Sequence, residues 1–439
     1  MYNFDFFNLS IFITILMRGD TMETSLISQL TAIVGKENVE EDNGKVIIYP
    51  STTPQVSDVF KLATSTDTKI VIRKKPNQVL KEEKAGILVL DLSKFNSLID
   101  LDKDNVTATI QTGMTLDSLQ QQLMEKGFYL PPVSIWDYDN FVAAAVADNS
   151  IGFNTARYGR WREFSLGMEA VLYSGEVIKV GGKVIKYVAG LDMMGLIIGT
   201  KNQLGVITEM TLRLLPKPEA RKMLVSSFDS LPDAIAASLS LPGRKLDPAR
   251  NEVITSAIAE KMGLPGVNPG QIAVITELEG FANSLGRQGA EVEVAHKKFG
   301  LKSFVVIDKE DESKLIWDKY FKAADLYKGQ TTYNVNILPS KLEGLNQFIN
   351  SRAKELGLEL ELIIHSGVAN MDMFMQGDAD KLETFKEELI KNLRVVDGKL
   401  AEQKIGIGSH IATIDRLEEG LRDLFDPKHL LVSTEGKVN

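Results

Sequence analysis

Few side chains in this sequence could do chemistry. There are four histidines and no cysteine. Thiolate nucleophiles, disulfides and iron–sulfur clusters on this chain are therefore excluded. His365 opens the run His-Ser-Gly-Val-Ala-Asn-Met-Asp, with Gly367, Asn370 and Asp372 following. A histidine and an aspartate can share a divalent metal or move a proton, but two ligands are not a metal site. The plainer alternative is a strand-end histidine followed by a turn. His410 lies further on. His296, in a charged helical run, and His429, near the C-terminus, read as surface residues. Arg73-Lys74-Lys75-Pro76-Asn77-Gln78 is a cationic stretch. It suits either charge neutralisation of a phosphate or a basic surface turn, and Pro76 removes a backbone donor. There is no Walker A loop, no H-E-x-x-H, no nucleophile elbow and no G-x-G-x-x-G after a first strand.

The elements that must position these residues follow from periodicity. Leu26, Ile27, Leu30, Ile33 and Val34 share one face of a helix over residues 23–36, which Gly35 suits as an end. Then come a strand, a Pro-Ser-Thr turn, a helix from about Thr53 and a strand at 69–73. Residues ILVLDLS and NVTATIQTG read as strands. Thr115 or Asp117 can cap a helix that ends near Gly127. Pro131 and Pro132 stiffen a connector, and the alanine-rich run after Phe141 reads as a small-residue helix packed on a sheet. From Arg157 to Pro218 β-branched runs alternate with glycine turns, among them Ser174-Gly175, until Pro216 and Pro218 end the last strand. Beyond 219, strand–helix–strand units recur, with helices at 309–328, 340–356 and 378–394. A tail helix carries Leu417, Leu421, Leu424 and Phe425 and stops at Asp426-Pro427-Lys428.

Several of these stretches carry a resemblance. Gly181-Gly182-Lys183, Val188-Ala189-Gly190, Asp192, Gly199-Thr200 and Leu204-Gly205-Val206-Ile207-Thr208 resemble the second half of an FAD-binding domain of the p-cresol methylhydroxylase / vanillyl-alcohol oxidase type. Within that superfamily the chain is most similar to glycolate and D-lactate dehydrogenase FAD-binding subunits. The resemblance implies an α+β fold. A two-subdomain FAD-binding domain would span 23–218, an α+β ferredoxin-like cap 219–410, and a C-terminal helix in 411–439 would return to the first domain. It also implies non-covalent FAD. Arg73 would stand at the phosphate loop, with Pro131 and Ser134 against the flavin. Ala143, Ala144, Asn149, Gly152 and Tyr158 would line the isoalloxazine and adenosine, and Gly205, Val206 and Ile207 the adenine end. Where the family has a glycine run after the arginine, this chain has Lys74 to Gln78. Where it has paired glycines, this chain has Ala143-Ala144. The family's second histidine in the His365 motif is Asp372 here, and its Glu-His-Gly motif falls near Lys404 to Gly408 without the histidine.

The implied activity is hydride transfer from a small 2-hydroxy acid such as glycolate or D-lactate to the flavin, with electrons passed to a separate acceptor such as an iron–sulfur subunit. His365 is the candidate base, and Arg157, Arg160 or Lys186 the candidate for the substrate carboxylate. A catalytically degenerate subunit of a larger complex, and a binding protein that has reused the fold, are the alternatives.

Composition limits the partners. With 44% hydrophobic and 25% charged residues, the 439-residue chain is long enough for two or more packed domains. A net charge of −9 argues against nucleic acid and anionic membranes. The apolar run at 6–17 falls short of the about 20 residues that span a bilayer and lacks a basic leader. Residues 1–22 are therefore expected to be a flexible extension, with Met17 or Met22 beginning the folded chain, and a membrane or partner anchor is the alternative. The expected location is cytoplasmic.

Overall fold

The computed structural model describes residues 25–42, 44–78, 86–132, 138–150, 152, 154–183, 190–325, 327, 330–396, 398–400 and 411–432. The N-terminal extension, Ser134, Lys186, Val188-Ala189, the 404–408 motif and His410 lie outside them.

Helix α1 spans residues 25–34 and lays Leu30 and Val34 into the first core. Strands β1 (Val39–Asp42) and β2 (Lys45–Ile48) form a hairpin. Helix α2 (Thr53–Thr66) begins where the Thr52 side chain accepts from Gln55 N–H, with proline in its first turn. Strands β3 (Lys69–Ile72) and β4 (Ile87–Leu90) follow. The sheet order is β1-β2-β4-β3-β20, and β2, β4, β3 and the late strand β20 (Leu431–Val432) run parallel. Parallel strands are covered on both faces, which is why Ile87, Leu88, Val89 and Leu90 are all buried. The Asp426 carboxylate accepts from Leu430 and Leu431 N–H and sets up β20, and Lys428 reaches the Thr64 carbonyl.

The second layer is antiparallel. It contains β5 (Leu98–Asp102), β6 (Thr107–Gln111), β8 (Ser165–Val171), β9 (Val177–Gly181) and β10 (Val206–Arg213), in the order β5-β6-β10-β8-β9. Helix α3 (Leu116–Glu125) is capped by Thr115, whose hydroxyl accepts from Ser118 N–H. Strand β7 (Phe128–Tyr129) pairs with β11 (Leu215–Pro216). The alanine-rich run is helix α4 (Val142–Asp148), buried along nearly its whole length. Short helices α5 (Thr155–Tyr158), α6 (Trp161–Phe164) and α7 (Met193–Ile197) complete the layer. Trp161, Phe164, Met210 and Ile110 fill its core, each large apolar side chain contributing about 1.5–3 kcal/mol.

The chain then builds an eight-stranded antiparallel sheet. Its strands are β12 (Ala220–Phe228), β13 (Arg250–Ile254), β14 (Ile272–Gly280), β15 (Ser303–Ile307), β16 (Thr331–Asn336), β17 (Glu359–His365), β18 (Asn370–Gln376) and β19 (Lys399–Leu400), in the order β15-β12-β14-β13-β17-β18-β16-β19. Helices α8 (Leu231–Leu239), α12 (Leu342–Leu356) and α13 (Ala379–Val395) cover one face, joined at the β12 side by α10 (Ala282–Lys297). Helices α9 (Ser256–Met262) and α11 (Glu310–Asp325) cover part of the other, over Met223, Val225, Ile254, Ile275, Ile363 and Phe374. Helix α14 (Ile411–Phe425) leads back to β20.

Candidate functional site

Side chains alternate across a strand with period two. On the face that α9 and α11 cover, that alternation changes character part-way along each central strand. Ile254 gives way to Glu252 and Arg250 on β13, Ile275 to Glu277 and Glu279 on β14, Val225 and Met223 to Arg221 on β12, and Ile363 to His365 on β17. On β18, Phe374 gives way to Asp372 and Asn370. Cross-strand register brings these polar residues level, with Arg221 opposite Glu279, Arg250 opposite Glu277 and Glu252 opposite His365. The result is a charged band across the sheet, and most of its members are buried.

Within the band each buried charge finds partners, as burial requires. Arg221 Nε donates to Glu279 Oε2 at 3.1 Å. Arg250 Nε lies 3.6 Å from Glu277 Oε1, and Trp317 Nε1 donates to the other Glu277 oxygen at 2.7 Å. His365 sits between two carboxylates, with Nδ1 2.5 Å from Glu252 Oε2 and Nε2 3.2 Å from Asp372 Oδ2. Tyr320 donates to Glu252, and the Asn334 amide to Asp372 and Asn370. Burial alone would push the His365 imidazole down. The charge of Glu252 and the hydrogen bonds to Asp372 and Glu252 outweigh it and raise the group to about 10. Both ring nitrogens of His365, the expected base, are engaged by carboxylates, which favours the protonated ring. It does stand at the end of a strand before a turn, the plainer of the two readings. Among the described residues no group of three or more His, Asp and Glu side chains could hold a metal ion.

The band meets the first domain through Glu279. Tyr129 and Tyr158 both donate to its Oε1, at 2.6 and 2.9 Å. Burial would raise Glu279, but the charge of Arg221 and the hydrogen bonds from the tyrosines and Arg221 hold it below the usual carboxylate range. The tyrosines move the other way. Burial pushes Tyr158 up to about 12, and burial with the Glu279 charge pushes Tyr129 higher still. Arg157 lies over the Tyr158 ring, donates to the Glu279 carbonyl at 3.0 Å and pairs with exposed Asp247 at 3.8 Å. Arg160 is exposed, with its backbone N–H capped by Glu163.

Of the cofactor candidates, Tyr158 belongs to this contact. Arg73 NH1 pairs with Asp91 at 3.0 Å, and burial of the pair leaves Arg73 Nε without a partner. Lys74 Nζ bonds Asp148 at 2.8 Å and its backbone N–H donates to Gln78 Oε1, so residues 73–78 close on the end of α4. Asp148 Oδ1, Asn149 Oδ1 and Asn202 Oδ1 are buried and unpartnered. Ala143 and Ala144 are buried by protein, and their N–H groups donate to the Thr112 and Phe141 carbonyls. Val206 and Ile207 are buried strand residues paired with β8. Gly205 has φ +156°, and a Cβ there would come within 2.7 Å of the Val171 carbonyl oxygen, so its glycine is demanded by strand packing. Pro131 and Gly152 are buried. His296, expected at the surface, is fully buried. Its Nδ1 bonds Ser226 at 2.8 Å, and loss of solvent lowers it to about 4. His429 is at the surface, 2.8 Å from Asp423.

Comparison with known proteins places this architecture. A family model described as an FAD binding domain matches residues 44–181. The whole fold superposes on p-cresol methylhydroxylase with substrate bound at a TM-score of 0.71 and 18% identity, covering 92% of this chain and 95% of that one. The chain carries an FAD binding domain over residues 44–181 and shares the fold of p-cresol methylhydroxylase. Alkyldihydroxyacetonephosphate synthase shares the fold at a TM-score of 0.72 and 14% identity over 94% of this chain and 86% of the other. By sequence, the glycolate oxidase subunit GlcD of Bacillus subtilis is 24% identical over 92% of this chain and 94% of its own length. D-lactate dehydrogenase of Archaeoglobus fulgidus is 27% identical over 90% and 91%. The chain is an FAD-dependent oxidoreductase related to these two.

The residues present fit FAD at its polar ends. A buried, unpartnered guanidinium Nε and three unpartnered side-chain oxygens call for a polar ligand. Asp148 and Asn149 can accept from the cofactor's N–H and hydroxyl groups, and Lys74 and Lys75 supply positive charge where the family uses glycine N–H groups. The charged band escaped sequence reasoning. Its signal was two like-spaced charged pairs, Arg250/Glu252 and Glu277/Glu279, on single faces of otherwise apolar strands.

Proposed function

We propose that this chain is a cytoplasmic dehydrogenase of a short 2-hydroxy acid that hands its electrons to a separate acceptor. The observation that carries the reading is the seating of a buried, charged sheet face on the FAD-binding domain through Tyr129, Arg157 and Tyr158. Relatives named for glycolate and D-lactate support it. Bound FAD would supply the two-electron oxidant that takes a hydride from the carbinol carbon. Arg73, Lys74 and Lys75 would hold its pyrophosphate by charge, and Asp148 and Asn149 its hydrogen-bond donors. The apolar and ring contacts around the band exclude water, which strengthens every charge interaction there. With no cysteine to bind an iron–sulfur cluster on this chain, electrons would pass from the flavin to a separate acceptor, for example an iron–sulfur subunit.

The test is a visible spectrum of the purified protein followed by anaerobic addition of glycolate and of each lactate enantiomer. Bleaching of the flavin bands is expected. A yellow protein that none of these acids bleaches would overturn the dehydrogenase reading. The locked imidazolium of His365 favours a second reading, a flavin-holding subunit whose catalysis resides in a partner. That reading expects bound FAD and no reduction until the partner is added.

A further inference from the structure

A cavity of about 90 Å³ lies between α3 and the first strands of the cap; Gln120, Met124, Tyr129, Tyr138, Asn154, Arg221 and Arg250 line it. Two guanidiniums therefore face one small space, and among the described residues no acidic side chain lines it. Both arginines are ion-paired, but with carboxylates that stand off the cavity wall. Glu279 also receives Tyr129 and Tyr158, and Glu277 also receives Trp317. The pairs thus present their positive ends to the cavity. Asn154 Oδ1 accepts from Arg250 Nε at 3.4 Å, and the ring of Trp317 lies 4.9 Å from the Arg250 guanidinium carbon, so the fork is oriented by packing.

A planar guanidinium fork matches a carboxylate better than a lysine does, and five N–H donors allow it to serve a ligand as well as a glutamate. The space is well above what a single water needs. That has room for the carboxylate end of a short acid. Arg157 does not line it and is committed to the Glu279 carbonyl and the Tyr158 ring.

We propose that Arg221 and Arg250 seat the carboxylate of the short 2-hydroxy acid in this cavity, with Met124 against its carbon chain. This rests on the dehydrogenase reading for the identity of the acid. Calorimetric titration with glycolate and with oxalate, which cannot be oxidised as a hydroxy acid, tests it on the flavin-loaded protein. Met124→Trp fills the cavity without changing charge, and Arg250→Lys keeps the charge but removes the fork. Saturable binding by the native protein, weakened about tenfold or more in each variant, is the expected result. If Arg250→Lys does not fold, Met124→Trp alone decides. The inference is overturned if the native protein binds neither acid, or if the folded variants bind as the native does. The two readings fail separately. Flavin reduction with unchanged KM in Met124→Trp removes the carboxylate site and leaves the dehydrogenase. Binding lost in the variants without flavin reduction in the native protein removes the dehydrogenase and leaves the site.

Discussion

Glu252→Gln keeps the shape beside His365 and removes one of its two negative neighbours. In the fold His365 rises from 6.5 to about 10, which at 1.36 kcal/mol per pH unit is a preference for the imidazolium of about 5 kcal/mol. Glu252 lies at 2.5 Å and Asp372 at 3.2 Å, so Glu252 carries the larger share. Stripping one partner from a buried ion pair costs about 3–5 kcal/mol. Urea unfolding followed by tryptophan fluorescence is a suitable assay, because Trp317 packs beside the band. At pH 7 the variant should unfold at clearly lower urea. The pH dependence has a definite sign. A histidine raised in the fold stabilises fully below its unfolded pKa near 6.5, and the contribution fades until pH passes about 10. The gap between native and variant should therefore narrow from pH 7 to pH 10. A loss under about 1 kcal/mol at pH 7, or a gap unchanged at pH 10, would refute the charge-locked imidazolium.

Three further outcomes are expected. His296, lowered to about 4 by burial, stays neutral in the fold while the unfolded chain takes up a proton, so stability should fall by about 3 kcal/mol between pH 6.5 and 4; His296→Gln should flatten that acid limb in denaturant titrations. Glu279→Gln removes the charge on which Tyr129, Tyr158 and Arg221 converge and should cost about 3 kcal/mol, read as earlier proteolysis of the linker around Lys217 than in the native protein. Lys74→Met strips Asp148 of its cation and should weaken FAD retention about tenfold in dialysis, with little change in the thermal midpoint of the cap.

Local order was legible in the chain. The helix start at Thr53 and the cap at Thr115 depend on side chains a few residues from the backbone they bond. The turn at Ser174-Gly175 and the alternation of β10 are likewise local, and the glycine-spaced motifs around Gly205 pointed to the right family of folds. The single-face charges of β13 and β14 were written there too, but strand alternation alone says only that they share a face. Whether that face meets water or another domain is not a local property.

The sequence by itself therefore determined the elements, their order and the absence of cysteine chemistry. The tertiary structure decided protonation and burial. It set His365 between two carboxylates that raise its pKa, took His296 out of solvent and turned Arg221 and Arg250 towards a cavity. The reason is physical: a group's pKa and exposure are set by charges and surfaces opposite it in space, and here those belong to strands and rings up to 150 residues away along the chain.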